Sequence, residues 1–317
     1  MSYQIIITDS SFSTEAPEYE IFAREGYELV RLQCCDEKEL RVRLSPADAV
    51  LVQMAPITAP VIEAMRNCKI IVRYGHGVDN IDLYAARDNG IPVCDVPDYC
   101  IREVADHTVA LVLAVLRQIP ETDLLVRQYG WQTTLPRPVR PFSELIFCLA
   151  GFGRIAREVS RRAMALGFTV MAYDPFVSPE VMATFGVVAL PFDDLLRIAD
   201  VLSLHCPLNA ETYKMIRQDR ISLMRPGAVV VNTAHGDLLD AEDLSYALTQ
   251  GRLWGAAVDV FDTEPLPLHH PLRRAPNTIL SSHVAWYSSG SSPLLQRKAA
   301  LEVVRALRGI RLLNRVI

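Results

Sequence analysis

Short runs of β-branched and apolar residues alternate along the chain with longer stretches in which apolar positions recur every three or four residues. In the N-terminal third, the runs predict strands at residues 5–8, 28–32, 49–52, 70–74 and 92–94. Strands and helices in alternation are typical of a parallel sheet covered by helices. The first part of the chain is therefore expected to form one such α/β domain.

A second set of strands follows a change in the pattern. Residues 101–128 have apolar positions at helical spacing and predict one long helix that bridges two domains. Residues 135–141 contain three prolines and predict an irregular connector. The later strands are expected at residues 145–150, 169–173, 201–204, 228–231, 255–258 and 278–280. A last helix at residues 294–308 is expected to return to the first domain. The fold class is thus α/β, with two doubly wound parallel sheets.

Composition narrows the class of protein. The chain has 317 residues, half of them apolar, which favours two domains. Its net charge of −5 and the lack of a dense Lys/Arg block argue against nucleic acid and acidic membranes as partners, and favour a small anionic or neutral molecule. The sequence has no apolar run of membrane-spanning length and no signal-peptide pattern at its start, so a cytoplasmic location is expected. The seven cysteines lack the spacing of a zinc site, which predicts reduced thiols and no metal.

A glycine-rich turn indicates a dinucleotide site. The strand at 145–150 leads into Gly151, Phe152, Gly153, Arg154 and Ile155, and a helical stretch follows. Glycines there allow a pyrophosphate to approach the helix N-terminus. The next strand ends at Asp174, whose carboxylate can accept hydrogen bonds from ribose hydroxyls and repels a 2′-phosphate, so NAD is favoured over NADP. The alternatives are a tight turn that binds no ligand and a solvated loop acid before Pro175.

Further segments resemble one family over nearly the whole chain. They are residues 73–82 (RYGHGVDNID), 205–208 (HCPL), 232–236 (NTAHG), 255–265 (GAAVDVFDTEP) and 283–287 (HVAWY). In order and spacing they are similar to the motifs of D-isomer-specific 2-hydroxyacid dehydrogenases, a family related to phosphoglycerate dehydrogenase. Two segments, residues 96–100 (VPDYC) and 283–287 (HVAWY), most resemble the bacterial relatives of the C-terminal binding protein branch.

The resemblance implies a fold and a set of site residues. It implies a flavodoxin-like substrate domain from residues 1–99 and 288–317 and a Rossmann NAD-binding domain from residues 100–287, which also forms a homodimer. It implies NAD in a cleft near His76, Asp259 and His283. The rest of the cofactor path is implied to follow His205, Cys206, Pro207, Thr233 and Ala234, and substrate to contact Gly75, His76, Gly77 and Trp286. Trp286 could instead be a core aromatic, while His269 and His270 are expected to be surface residues.

The catalytic residues implied by the resemblance are His283 as acid and base, supported by Glu264. For Glu264 the alternative is an ordinary loop acid before Pro265. The third family element is an arginine that binds the substrate carboxylate through its planar fork, and this chain has His235 there. His235 either contacts a different substrate or is the relic of a lost activity. Ser282 also replaces the usual proline before the catalytic histidine.

Two functions follow from this pattern. The first is an NAD(H)-dependent oxidoreductase that interconverts a 2-hydroxy acid, or a related anionic hydroxy compound, and its 2-oxo form. The second is a non-catalytic NAD(H)-sensing regulatory or scaffold protein. His283 and Glu264 favour the enzyme, and His235 favours the sensor.

Overall fold

The structure is a computed structural model that describes residues 2–135 and 137–317. The chain divides into two compact units, the first ending at Cys100 and resuming over Tyr287–Ile317, the second comprising Ile101–Trp286. Both borders fall one residue from those expected. Met1 of the expected first domain and Pro136 of the expected connector lie outside the described residues.

The first unit contains a five-stranded parallel sheet of order β2-β1-β3-β4-β5. Its strands are β1 (Gln4–Ile7), β2 (Glu28–Arg31), β3 (Ala49–Val52), β4 (Ile71–Arg73) and β5 (Val93–Cys94). Its helices are α1 (Ala16–Glu25), α2 (Glu37–Arg43), α3 (Ala59–Ala64), α4 (Leu83–Asp88) and, from the C-terminal segment, α12 (Ser291–Leu307). This strand order is flavodoxin-like, and the carboxyl ends of all five strands lie at one edge.

A buried polar cluster joins α12 to the rest of the first unit. Glu18 on α1 is fully buried and accepts hydrogen bonds from the Tyr74 hydroxyl at 2.7 Å and from Nε2 of Gln296 on α12 at 2.8 Å. Burial raises the pKa of Glu18, against the hydrogen bonds, which lower it. Because both carboxylate oxygens have partners, the last helix is fixed against α1.

The second unit contains a seven-stranded parallel sheet of order β12-β11-β10-β9-β6-β7-β8. Its strands are β6 (Ile146–Ala150), β7 (Thr169–Tyr173), β8 (Val188–Ala189), β9 (Val201–Leu204), β10 (Ala228–Asn232), β11 (Leu253–Val258) and β12 (Thr278–Leu280). Its helices are α5 (Ile101–Leu116), α6 (Ile119–Arg127), α7 (Arg154–Ala165), α8 (Pro179–Ala183), α9 (Phe192–Ile198), α10 (Gln218–Leu223) and α11 (Ala241–Thr249). Short 3₁₀ turns occur at Phe142–Glu144, Gly236–Leu238 and Pro271–Arg273. This is the Rossmann order with one added strand, and the α/β class with two doubly wound sheets is confirmed.

Two details of the second unit differ from the prediction. The long helix expected over residues 101–128 is two helices, because Gln118 has a left-handed backbone with φ of 53° and Pro120 occupies the first turn of α6. α5 packs against α7 and β10 within this unit. β8 was not predicted, since it has only two residues and Val188 is exposed.

Candidate active site

The dinucleotide turn lies where the strand order of the second sheet reverses, between β6 and β9. Gly151 follows β6 with φ of 95°, a conformation that favours glycine. A Cβ atom at this position would lie 2.6 Å from the carbonyl oxygen of His205, which follows β9. The turn therefore depends on glycine both for its backbone angles and for the close approach of the two chain segments.

Open space lies above the N-terminus of α7. A Cβ atom on Gly153, the residue before the helix, would have no atom within 4 Å. Arg154 is exposed at the first helical position, whereas Ile155 is half-buried against the core. Exposed amides at a helix N-terminus favour an anion, so a pyrophosphate fits this turn.

Asp174 holds the glycine turn in place. One oxygen of its carboxylate accepts a hydrogen bond from the Phe152 amide at 2.7 Å, and the other accepts one from the Phe176 amide at 2.8 Å. This supporting role was not anticipated from the sequence. Each carboxylate oxygen has two lone pairs, so these bonds leave capacity for ribose hydroxyls.

The segment after β9 presents uncharged groups. Burial lowers the pKa of His205 to about 3, so its ring is neutral near pH 7, and its Nε2 lies 2.9 Å from the Ser203 hydroxyl. Burial raises the pKa of Cys206 to about 11, which makes it a thiol rather than a nucleophilic thiolate. The Pro207 carbonyl accepts a hydrogen bond from the Thr212 hydroxyl at 2.7 Å.

Asn232, at the end of β10, shapes the loop that carries His235. The buried Asn232 amide donates to the His235 carbonyl at 2.7 Å and accepts from the Ala234 amide at 3.0 Å. The Thr233 hydroxyl lies 2.8 Å from that of Thr108 on α5. Asn232 belongs to the quoted motif, but its role depends on loop geometry that the sequence does not give.

Close backbone packing joins this loop to the next one. A Cβ atom on Gly236 would overlap the backbone of Phe261 and Asp262. Only glycine allows this approach, which brings the His235 loop against the loop that carries Glu264. Both loops follow neighbouring strands, β10 and β11.

His283 and Glu264 form a hydrogen-bonded pair after β12 and β11. Nδ1 of His283 lies 2.7 Å from Oε2 of Glu264, and Oε1 of Glu264 accepts the Phe261 amide at 2.9 Å. Burial acts to raise the pKa of Glu264, but the hydrogen bonds from His283 and from the Phe261 amide outweigh it, so the pKa is lowered. Glu264 is thus ionised near neutral pH and fixes the orientation of the imidazole.

Asp259 holds the chain segment on which His283 lies. Its fully buried carboxylate accepts hydrogen bonds from the Ser281 hydroxyl at 2.5 Å, the Val284 amide at 3.1 Å and the Ala285 amide at 2.9 Å. Nε2 of His107 on α5 lies 3.1 Å from the same Ser281 hydroxyl. Asp259 therefore supports the segment directly, a role that its expected place near the nicotinamide did not include.

The expectation that His269 and His270 are both surface residues is wrong for His270. His269 is exposed, but His270 is buried, with Nε2 at 3.1 Å from Oδ1 of Asp262. Its ring also packs edge to face on Phe261. His270 thus anchors the loop that carries Glu264, and the two-histidine pattern gave no indication of which side chain turns inward.

In the first unit, the loop after β4 has two left-handed glycines, Gly75 with φ of 120° and Gly77 with φ of 91°. Arg73 donates from Nη1 to the His76 carbonyl at 3.1 Å. Nδ1 of His76 lies 2.7 Å from Oδ2 of Asp95, which follows β5. Asp95 was not predicted as a site residue. Trp286, the last residue of the second unit, is half-buried.

Two other kinds of feature are absent from the described residues. Over residues 2–135 and 137–317, no group of three or more His, Cys, Asp or Glu side chains is arranged to hold a metal ion. In the same ranges, no helix has both the length and the apolar character needed to cross a membrane. None of the seven cysteines, all of which lie in the described ranges, forms a disulfide.

Fold and site together define a dinucleotide-binding α/β protein with a histidine–carboxylate pair, and comparison with known proteins gives its family. Residues 109–285 match the NAD binding domain of the D-isomer specific 2-hydroxyacid dehydrogenases. The chain is 35% identical over 274 residues to D-3-phosphoglycerate dehydrogenase of Mycobacterium tuberculosis, which covers 86% of this chain and 51% of that protein. The chain thus spans about half the length of the curated relatives it matches.

Solved structures agree over the whole chain. The TT0316 protein from Thermus thermophilus is 32% identical, with a TM-score of 0.89, covering 99% of this chain and 100% of that one. The D-lactate dehydrogenase from Aquifex aeolicus complexed with NAD and lactic acid is 27% identical, with a TM-score of 0.85 and 96% of each chain covered. The chain therefore belongs to the D-isomer specific 2-hydroxyacid dehydrogenase family, a family of NAD-dependent oxidoreductases, and its second unit contains the NAD-binding domain.

Proposed function

We propose that the protein interconverts a 2-hydroxy acid, or a related anionic hydroxy compound, and its 2-oxo form with NAD(H). The observation that carries the proposal is the 2.7 Å hydrogen bond between His283 and Glu264. This pair follows strands of the same sheet whose carboxyl edge also bears the Gly151 turn. A base of this kind is needed wherever a hydroxyl proton must leave as a hydride moves.

His283 carries the proton in this scheme. Bound NADH supplies the hydride that C2 of the 2-oxo acid receives. Glu264 accepts a hydrogen bond from the Nδ1–H group of His283, so Nε2 gives its proton to the carbonyl oxygen during reduction and takes the hydroxyl proton during oxidation. The carboxylate also stabilises the charged imidazole from which the proton is given.

The cofactor residues follow from the family and fit the chemistry of the turn. We assign to NAD(H) the residues His76, Gly151, Phe152, Gly153, Arg154, Ile155, Asp174, His205, Cys206, Pro207, Thr233, Ala234 and Asp259. The open space at Gly153 suits a pyrophosphate. The carboxylate of Asp174 repels a 2′-phosphate, which favours NAD over NADP.

The substrate carboxylate is assigned to the loop of Gly75, His76 and Gly77. Among the described residues, no acceptor is recorded for the backbone amides of His76 and Gly77. Amides in a turn with left-handed glycines form an anion-binding nest. His235 stands where the family has arginine and contributes a weaker contact, and Trp286 bounds the substrate.

A second candidate function is an NAD(H)-sensing regulatory or scaffold protein that turns over poorly. It is favoured by His235, because an imidazole cannot reproduce the bidentate fork of arginine. In that case the pyrophosphate contacts persist, while the substrate is held too weakly for reaction.

We also propose a cytoplasmic homodimer. The lack of disulfides among the seven described cysteines suits a reducing compartment. Every residue of α6 is at least partly exposed, and beyond it Tyr129 and Trp131 are 99% and 80% exposed. A second copy of the chain would cover this apolar surface.

The test is NADH oxidation by the purified protein against a panel of 2-oxo acids, with NADH binding followed by fluorescence and mass by sedimentation in the same samples. The His283→Ala variant should lose about 100- to 10,000-fold in turnover while binding NADH as before. NADH binding without turnover on any 2-oxo acid would favour the sensor. Unchanged turnover in the variant would remove His283 from its role, and a monomer would contradict the dimer.

A further inference from the structure

The side chain of His76 is held in one orientation at the surface of the first unit. Its side chain is 63% exposed, yet Nδ1 lies 2.7 Å from Oδ2 of Asp95, whose side chain is only 10% exposed. The strands that precede these residues, β4 and β5, are parallel neighbours, so both side chains arise at the same edge of the sheet. A nearly buried carboxylate is a rigid support for an exposed ring.

This contact determines which nitrogen of His76 carries the proton. A carboxylate only accepts hydrogen bonds, so Nδ1 of the neutral ring must be the donor to Asp95. The hydrogen bond at Nδ1 thereby sets the tautomer of the ring, and Nε2 is left as an acceptor. Among the residues that the structure describes, no hydrogen-bond partner is recorded for Nε2.

The acceptor belongs to the residue whose backbone amide is assigned to the substrate carboxylate. A small acid held by that amide is thus bound by the residue whose imidazole presents the acceptor. The backbone is fixed as well, because Arg73 donates to the His76 carbonyl and the glycines on either side have left-handed angles. An acceptor held in one orientation favours binding of a substrate whose substituent can donate a hydrogen bond.

We propose that His76 is a specificity-determining residue that selects 2-oxo acids with a hydroxyl group on C3, the carbon next to the reacting C2. Nε2 of His76 accepts a hydrogen bond from that hydroxyl group. This inference rests on the proposed function. It narrows the substrate class from 2-oxo acids in general to 3-hydroxy-2-oxo acids. A substrate with a second carboxylate would instead place an acceptor against an acceptor.

The experiment compares kcat/KM for hydroxypyruvate with kcat/KM for pyruvate, which lacks the hydroxyl group, at saturating NADH and pH 8. The wild-type ratio should exceed that of His76→Phe by about 5- to 10-fold, the factor expected for one hydrogen bond to an uncharged group. His76→Gln keeps an acceptor oxygen and should retain part of the ratio. Asp95→Asn no longer fixes which nitrogen of His76 carries the proton, so the ratio of the two kcat/KM values should lie between those of wild type and His76→Phe. Thermal unfolding shows that the fold of each variant persists. Because His76 is also assigned to NAD(H), an NADH titration of each variant sets the NADH concentration that keeps the cofactor saturating.

The outcomes separate the two proposals. Turnover of both acids with a ratio that His76→Phe does not change overturns the specificity role and leaves the dehydrogenase intact. Equal loss of the ratio in His76→Phe and His76→Gln overturns the acceptor role, because the acceptor oxygen that Gln retains would then contribute nothing. No turnover of either acid, nor of any other 2-oxo acid, by the wild type contradicts the proposed function itself.

Discussion

The loops after β6 and β7 and the loops after β10, β11 and β12 lie at the same edge of one sheet, but they are built from different parts of the chain. The first group depends mainly on close packing of the main chain, since Gly151 passes against the His205 carbonyl and Gly153 leaves the start of α7 open. Its one supporting side chain described above is Asp174. The second group depends on side chains, since Glu264 orients His283 and Asp259 holds the segment beneath it.

This contrast predicts which substitutions in this chain affect cofactor binding and which affect the chemistry. A site made of main-chain amides needs glycine at fixed places. In a site made of side chains, each substitution directly changes the groups that take part in the reaction. His235 and Ser282 are departures in the second group, whereas the departure at the glycine turn is Ala156, a small residue that is accepted in place of the third glycine.

The sharpest test of this contrast is His235→Arg. Restoring the planar fork should raise kcat/KM for pyruvate by roughly 30- to 1,000-fold, because a bidentate charge-assisted contact contributes about 2 to 4 kcal/mol. Steady-state NADH oxidation measures the gain. His269→Arg is the matched control, since it adds the same charge at an exposed position in a loop of the same unit. No gain in His235→Arg would mean that the surrounding side chains have also been remodelled.

The main-chain site can be broken at two glycines with different results. Gly151→Ala introduces a Cβ atom 2.6 Å from the His205 carbonyl at a φ of 95°, so both NADH affinity and melting temperature should fall, the affinity by about 10-fold or more. Gly153→Ala meets no atom within 4 Å and should lower NADH affinity with little change in melting temperature. Fluorescence titration and thermal unfolding measure the two effects. Equal destabilisation by both variants would refute the assignment of open space at Gly153.

The smallest expected effect concerns the pH dependence of Glu264. Because its pKa in the folded state is lowered below the ordinary 4.5, its contribution to stability is present above that value and is lost as the pH falls through the folded-state pKa. Glu264→Gln should therefore reduce the free energy of unfolding at pH 7 by less than about 1 kcal/mol, since the pair is partly exposed and screened. The difference from wild type should shrink as the pH falls below 4.5.

Urea denaturation at pH 7, 5.5 and 4 measures this difference. Glu63→Gln is the control, because Glu63 is an exposed acid on α3. A difference for Glu264→Gln that grows on acidification would reverse the sign and contradict the lowered pKa.

Most strands of both sheets were predictable because their apolar runs are long enough to identify a buried parallel strand. The exceptions have local causes. β8 is too short to form such a run, and the break between α5 and α6 depends on the backbone of Gln118, a residue that helices usually tolerate. The NAD-binding fold followed from the glycine turn together with Asp174.

The contact between His283 and Glu264 could be predicted from the sequence, but the side chains that hold the surrounding loops could not. The pairing of His283 with Glu264 stood in the family motif, whereas the supports contributed by Asn232, Asp95 and His270 depend on how the loops fold, which the motif does not give. A motif gives the order of residues along the chain. It does not tell which polar side chain turns inward to hold a loop.

The discontinuity of the first unit has a consequence for synthesis on the ribosome. Residues 1–100 emerge before the second unit. Two parts of the first unit emerge after it, namely α12, which covers α1 through Gln296, and the segment whose Val316 amide bonds to the Val93 carbonyl. The second unit, continuous in sequence, is complete while the N-terminal portion still lacks its covering helix. Nascent chains should therefore expose the apolar surface that α12 later buries, and a chaperone that captures such surfaces would act on the N-terminal hundred residues.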